Sequence, residues 1–221
     1  VPSVTGITSR GLIKDGLTNW KVQFPLGQAK REINQMLNDN IQLDRLSLEK
    51  IFAEAEGATN KIMKEAGRIG TVVHGLVEDY LKGKEIPTQN DKRVVNCWNL
   101  FLKWWENQEY EPIEIEKKLY CKKYNYAGTL DLVVKDKEGN LVLIDIKTSN
   151  QISFDYYLQL NAYWFAYEEE TKQKISKALV VRLPKSDKKI DVQEIPLNKK
   201  ILNAFIGAKY IMTSMNNYWD N

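Results

Sequence analysis

The 221 residues are 43% hydrophobic and 28% charged, the make-up of an ordinary soluble globular protein and not of a disordered or fibrous one. No apolar run approaches the ~18 residues of a membrane span, and Val1-Pro2-Ser3-Val4 lacks the charged-then-apolar layout of a secretory signal. The two cysteines, Cys97 and Cys121, are too few for a disulfide framework, a four-cysteine zinc site or an iron–sulfur cluster, and fit a reducing, intracellular setting; the net charge of +3 neither demands nor excludes nucleic acid.

Low-complexity tracts, repeats and Gly/Ser/Pro linkers are absent, which predicts a single domain over 1–221, mainly helical in 1–110 and α/β in 111–221. In chain order, Val1 to about Leu26 is a mixed, partly extended opening segment. Ala29 to about Lys82 is helical in pattern, clearest where Ile62, Ala66, Ile69, Val73, Val77 and Tyr80 recur at three- and four-residue steps; Gly83 and Pro87 stop it. Asp91 to about Gln108 is a second amphipathic helix with Val94, Trp98, Phe101, Leu102 and Trp105 inward. The period then becomes two: Ile113–Tyr120, Tyr126–Val134 and Leu141–Lys147 are strands, the last two joined by the turn Asp136–Asn140. Phe154 to about Glu170 is helical, Ile175–Leu183 and Ile190–Ile195 are strands split by Pro184-Lys185-Ser186-Asp187, and a helix from Pro196 to about Met215 closes the order. Helices, three strands, helix, two strands and helix make an α/β sandwich around a mixed sheet.

The strand Leu141–Lys147 carries the chemistry. Val142, Ile144 and Ile146 share one face; Leu141, Leu143, Asp145 and Lys147 share the other. Asp145 and Lys147 thus point the same way at the end of an apolar strand, and across the hairpin Asp131 sits amid Leu130, Leu132, Val133 and Val134. Charges are uncommon in such strands unless paired or bound to metal. Hard carboxylate oxygens suit Mg²⁺ or Mn²⁺ beside a phosphate, and a nearby ammonium can orient or deprotonate a water or stabilise developing charge. The bland alternative is an Asp–Lys pair on a solvated strand face.

Gly128-Thr129-Leu130-Asp131, Ile144-Asp145-Ile146-Lys147-Thr148 and Gln159-Leu160-Asn161-Ala162-Tyr163, in that order, resemble the PD-(D/E)XK nuclease superfamily. Within it they look most like the RecB-type exonuclease branch, which includes phage nucleases and the mitochondrial genome maintenance exonuclease. Gly70-Thr71-Val72-Val73-His74-Gly75-Leu76-Val77-Glu78 resembles the histidine motif of that branch. The resemblance implies a restriction-endonuclease-like αβββαβ core: a mixed central sheet flanked by helices, with an N-terminal helical elaboration. It further implies a Mg²⁺- or Mn²⁺-dependent nuclease, an exonuclease on single-stranded or end-bearing DNA, with a place in DNA repair or recombination. The setting would be the cytoplasm of a bacterium or of a phage- or virus-infected cell. Asp131, Asp145 and Lys147 would be catalytic, with His74, Asp131, Asp145 and the Ile146 carbonyl holding one or two ions. No iron–sulfur cluster is expected, since the cysteine set some relatives use is missing.

The remaining candidates carry alternatives. His74, the one histidine, would be a ligand or a hydrogen-bonded, half-buried core residue. Glu116 would hold a second ion or a water, or belong with Glu114 to a solvated strand edge. Gln159 and Tyr163, one helical turn apart, would position the lysine or a phosphate, with packing as the alternative for Tyr163. Thr129, Thr148, Ser149 and Arg68 are candidate DNA contacts, as are Arg10, Lys14 and the basic stretch from Lys172 to Lys189. Trp98 and Trp105 read as core and Trp104 as the better base-stacking candidate; Cys97 and Cys121 read as packing residues.

Overall fold

The computed structural model of the chain describes residues 1–12, 14–186 and 188–219; Asp187, in the predicted break between the last two strands, lies outside them. Val1–Leu12 with Ile69–Asn221 pack as one compact unit and Ile13–Arg68 as another.

The opening residues differ from the expected extended segment. Ser3 caps α1 (Val4–Arg10) by accepting the Gly6 amide at 3.0 Å, and Val4, Ile7 and Thr8 are buried at helical spacing. α2 (Asp15–Asn38) follows, with Pro25 inside it. Proline reads as a helix breaker, which hid the first half of α2, and α1 is too short to show a period. In α3 (Arg45–Leu81), Asp44 and Ser47 cap each other reciprocally: Ser47 N–H donates to Asp44 Oδ1 at 2.8 Å, and Asp44 N–H to Ser47 Oγ at 3.0 Å. The helix stops as the sequence predicts, with Gly83 at φ +71° closing the turn onto Tyr80. The unit Ile13–Arg68 has a small core of its own, Ala29, Ile51 and Ala55 with Ile33 and Met36 beside them.

In the larger unit, α4 (Lys92–Trp105) is capped by Asp91. The strands are β1 (Glu111–Cys121), β2 (Tyr126–Lys135), β3 (Leu141–Lys147), β4 (Ile175–Arg182) and β5 (Asp191–Ile195), with α5 (Phe154–Thr171) between β3 and β4 and α6 (Lys199–Trp219) last. They form one mixed sheet in the order β1-β2-β3-β4-β5. β3 and β4 are parallel, joined by the α5 crossover, and the other pairs are antiparallel. This is the α/β arrangement around a mixed sheet that the element order predicts, and the restriction-endonuclease-like architecture that the resemblance implies.

Both faces of the sheet are covered, which explains the uninterrupted apolar run in β3. One face packs Leu130, Val133 and Leu143 against α1, α5 and α6, including Ile7, Leu160 and Phe205. The other packs Leu132, Val134, Val142, Ile144 and Ile146 against Ile69, Val73 and Val77 of α3 and Val94, Cys97 and Phe101 of α4. Each such fully buried side chain stabilises by about 1.5–3 kcal/mol. Among the described residues, no helix is long and apolar enough to cross a membrane.

Candidate metal centre

β2 and β3 pair from Lys135↔Leu141 as far as Leu132↔Ile144, and no pairing continues beyond. The Asp131 carboxylate fills the gap, its Oδ2 accepting the amide of Ile146 at 2.7 Å. On the far side of β2, pairing with β1 is kept at Ile115↔Leu132 and Lys117↔Leu130, while Glu116 between them has φ +51°. That left-handed residue switches the alternation of β1. Before it Ile115 lies on the α3–α4 face; after it Leu119 and Cys121 lie on the α5–α6 face.

The switch corrects one expectation. Glu114 and Glu116 do not share a face: Glu114 takes the Lys117 ammonium at 2.7 Å, on the side of Glu170 in α5, whereas Glu116 turns toward α3. There His74 Nδ1 stands 3.7 Å from Glu116 Oε1 and 3.6 Å from Asp131 Oδ2. His74, Glu116 and Asp131 each offer one ligand atom, all within 4.8 Å of one another. They line, with Val77, Glu78 and Ile146, a crevice of about 10 Å³, room for one water-sized body. Burial alone would lower the His74 pKa, but the charge of Asp131 and the contact with Glu116 outweigh it and raise it to about 9.

Asp145 stands apart from this trio. It is 1% exposed, and the Lys147 ammonium lies 2.8 Å from its Oδ1 and 2.7 Å from its Oδ2. The hydrogen bond is directed at Oδ1; Oδ2 is a buried oxygen at which no donor among the described residues is aimed. Burial raises the Asp145 carboxyl pKa and the Lys147 ammonium opposes that, while the charge of Asp131 reinforces it. Burial would likewise discharge Lys147, yet Asp145 and Asp131 hold its ammonium protonated well above the ordinary lysine range. The solvated-face alternative for this pair is thereby excluded.

The donor set suits a hard divalent cation: two carboxylates and one imidazole around a crevice, with a further buried carboxylate oxygen lacking a donor in the next strand. Ile146 shows its amide toward Asp131, which fixes that carboxylate.

The other candidates divide. Gln159 and Tyr163 both face inward from α5, Gln159 Nε2 donating to the Tyr163 hydroxyl at 3.2 Å. The Tyr163 ring packs where a side chain on Gly128 would be: a Cβ there would come within 2.7 Å of Tyr163 Cε1. Thr148 is buried, Ser149 donates to the Gln151 carbonyl at 2.8 Å, and Thr129 pairs with Lys118 across the hairpin. Arg68 belongs to the unit Ile13–Arg68, where it pairs with Glu65. Trp98, Trp104 and Trp105 join Tyr80, Phe101 and Tyr110 in one aromatic cluster. Tyr110 adjoins the Glu111 end of β1, five residues from Glu116, so Trp104 is packed away from the centre. The basic stretch is largely engaged locally: Lys174 pairs with Glu168, Arg182 with Asp191, and Lys185 donates to the Thr148 carbonyl. Cys97 and Cys121 are free and buried. Tyr156 escaped the sequence reading; the Lys147 ammonium lies 5.2 Å from its ring centre. It is three residues before Gln159 and seven before Tyr163, so the helical stripe already contained the signal.

A mixed sheet that gathers acidic side chains and a lysine at the splayed ends of its central strands has the layout of the PD-(D/E)XK fold. A model of the PD-(D/E)XK nuclease superfamily matches residues 98–208, and the chain belongs to that superfamily. Uncharacterized protein UU146 of Ureaplasma parvum serovar 3 is 27% identical over 90 residues, which covers 38% of this chain and 43% of that protein. The chain thus spans less than half the length of that curated relative. Among solved structures, SSO0001 is similar at 14% identity and a TM-score of 0.40, over 96% of this chain and 84% of that one. A candidate exonuclease from Eubacterium rectale is similar at 10% identity and a TM-score of 0.42, over 67% and 65%. A repair endonuclease from Pyrococcus abyssi is similar at 18% identity and a TM-score of 0.30, over 59% and 45%.

Proposed function

We propose that this protein is a Mg²⁺- or Mn²⁺-dependent deoxyribonuclease that acts as an exonuclease on single-stranded or end-bearing DNA. The observation that carries the reading is the juxtaposition of the His74–Glu116–Asp131 trio with the buried Asp145–Lys147 pair on the adjoining strand.

His74, Glu116 and Asp131 would hold the ion, with Asp145 Oδ2 as a further oxygen and the Ile146 carbonyl as the backbone ligand the family resemblance implies. The ion, when bound, supplies positive charge against the phosphoryl oxygens and acidifies the attacking water. Lys147 acts as an ammonium: with its proton held by Asp145 and Asp131, it is a poor base and a good donor. It would orient the water and offset the charge growing on the phosphate. The Ile146 amide fixes Asp131, and Tyr156 beneath the ammonium limits where Lys147 can point. Gln159 and Tyr163, buried and bonded to each other, wall the lysine pocket rather than meet DNA themselves.

The test is cleavage of end-labelled linear and of circular single-stranded DNA in Mg²⁺, Mn²⁺ or EDTA, with Lys147→Ala alongside. The expectation is metal-dependent loss of linear strands from an end, sparing of circles, and a fall of about a hundredfold or more in the variant. Cleavage of circles would reassign the protein as an endonuclease on the same fold. Undiminished cleavage by Lys147→Ala would remove the lysine from the mechanism, and DNA binding with no cleavage in either metal would leave a binding module.

A further inference from the structure

Beyond Glu116 the β1–β2 hairpin carries on past the last paired residues of β3 as a two-stranded ribbon. Leu119 and Cys121 bury its one face against the α5–α6 side. Its other face continues outward from the metal trio, because Lys118 lies opposite Thr129 and Tyr120 opposite Ala127, in line with Glu116 and Asp131. At about 3.4 Å per residue, Lys118 sits roughly 7 Å and Tyr120 roughly 14 Å from Glu116.

We propose that this face is the track along which a single DNA strand leaves the scissile phosphate, Lys118 meeting a backbone phosphate and Tyr120 stacking on a base. The inference rests on the reading of the trio as a DNA-cutting centre and gives that centre its substrate path. Lys118 is exposed and makes no ion pair among the described residues, unlike Lys117 on the opposite face. Tyr120 is 42% exposed, yet its ring is held in place: its hydroxyl donates to Asn125 Oδ1 at 3.0 Å, from a turn residue at φ +49°. An aromatic ring that is both presented and fixed loses little freedom on stacking. The ribbon is braced from its side, where Ser3 bridges to Ala127 and the Ala127 amide donates to the Pro2 carbonyl at 3.0 Å. Lys122 extends the positive charge to its tip. Two strands about 5 Å apart offer width for one polynucleotide strand, with charge for its phosphates and a π-face for its bases.

The experiment measures binding of a short fluorescent thymidine oligonucleotide to the full chain in EDTA by anisotropy, over a range of salt. KM for the same oligonucleotide in Mn²⁺ is measured alongside. Tyr120→Ala is expected to weaken binding roughly 5- to 100-fold, and KM to rise with it. Lys118→Ala is expected to weaken binding by about fivefold and to make the salt dependence shallower by about 0.7 in log–log slope. Tyr120→Phe, which keeps the ring, should stay within about threefold of the parent, and Lys137→Ala, in the turn at the other end of the sheet, should change nothing. Both test residues are exposed, so melting temperatures should match. Unchanged affinity in Tyr120→Ala and Lys118→Ala overturns the track even if the protein cleaves DNA. Loss of affinity in a protein that never cleaves would uphold the track while sinking the metal-centre reading, and a parent chain that binds no oligonucleotide overturns both.

Discussion

Removing the Lys147 ammonium should do more than stop chemistry. A lysine at a strand end looks dispensable to folding, but here it is the partner of a carboxylate that is 1% exposed and takes no other hydrogen bond among the described residues. Breaking a buried ion pair from one side costs about 3–5 kcal/mol, because a charge is left without its counter-ion. Lys147 retains some solvent contact at 16% side-chain exposure, so water can enter and the low end of that range, about 3 kcal/mol, is the better expectation. At roughly 2–4 °C per kcal/mol for a chain of this size, Lys147→Ala should melt about 6–12 °C lower in EDTA. The loss should depend on pH. Without the lysine, burial and the charge of Asp131 raise the Asp145 pKa against only the lesser pull of His74, so the folded state binds more protons than the unfolded one above the ordinary carboxyl value of 3.8. Stability of the variant therefore falls as pH rises above about 4, and the gap to the parent should be small in mild acid and full at neutral pH. Lys147→Ala/Asp145→Leu should recover most of the deficit, since no charge is then stranded. Differential scanning fluorimetry of the three proteins in EDTA across acid to neutral pH decides it. A Lys147→Ala melting point equal to the parent at neutral pH would refute the burial argument, whatever the variant does to activity.

Further outcomes follow from the geometry at three positions. Gly128→Ala should cost about 1–3 kcal/mol in urea unfolding, because its Cβ would lie 2.7 Å from Tyr163 Cε1 and 3.0 Å from Val4 Cγ2; an unaltered midpoint would show that the ring can yield. His74, raised to about 9, must shed its proton to accept a cation, so Mn²⁺ affinity by calorimetry should climb between about pH 7 and 9 and do so far less in His74→Asn. In EDTA the same shift gives a stabilising contribution that is complete below 6.5 and lost as pH rises through about 9, which a melting series on parent and His74→Asn would expose or disprove. Asn161 is fully buried, donating to the Tyr157 and Pro196 carbonyls and accepting the Asn198 amide. Asn161→Leu should therefore cost about 2–4 kcal/mol, and a neutral result would mean that α5 and the β5–α6 connection can separate without loss.

Much of the fold was legible because the larger unit obeys simple periods. β3 begins with its apolar run and ends at the predicted Lys147, α4 begins at the Asp91 cap, and α3 stops just before Gly83. What stayed hidden depended on contacts distant in sequence. Pro25 sits inside a helix, and α1 owes its order to packing with α5 and α6, which no local pattern records. At the centre, the residues of the Asp131–Asp145–Lys147 set could be picked from charge in an apolar context, but their grouping could not. Asp131 falls in with His74 and Glu116 while Asp145 turns to Lys147. Pairing across strands depends on where β2 parts from β3, and that is a property of the sheet, not of either strand.

One backbone conformation explains that grouping. A regular β1 would set Glu116 beside Glu114, toward the Lys117–Glu170 side, and His74 would face Asp131 alone. A non-glycine residue at φ +51° costs about 1–2 kcal/mol, and nothing in the side chain of glutamate repays it locally. The return comes from the hairpin as a whole. With the alternation switched at Glu116, Ile115 can pack on the α3–α4 face while Leu119 and Cys121 pack on the α5–α6 face, so apolar burial on both sides holds the strained residue in place. The same switch turns Glu116 toward α3, where Asp131 of β2 also lies, and it aims Lys118 and Tyr120 along the path that leads away from them. The placement of Glu116 beside Asp131 and His74 and the proposed substrate track are then two consequences of a single left-handed residue. A substitution that let β1 relax into regular pairing would disturb both, even if every acidic side chain were retained.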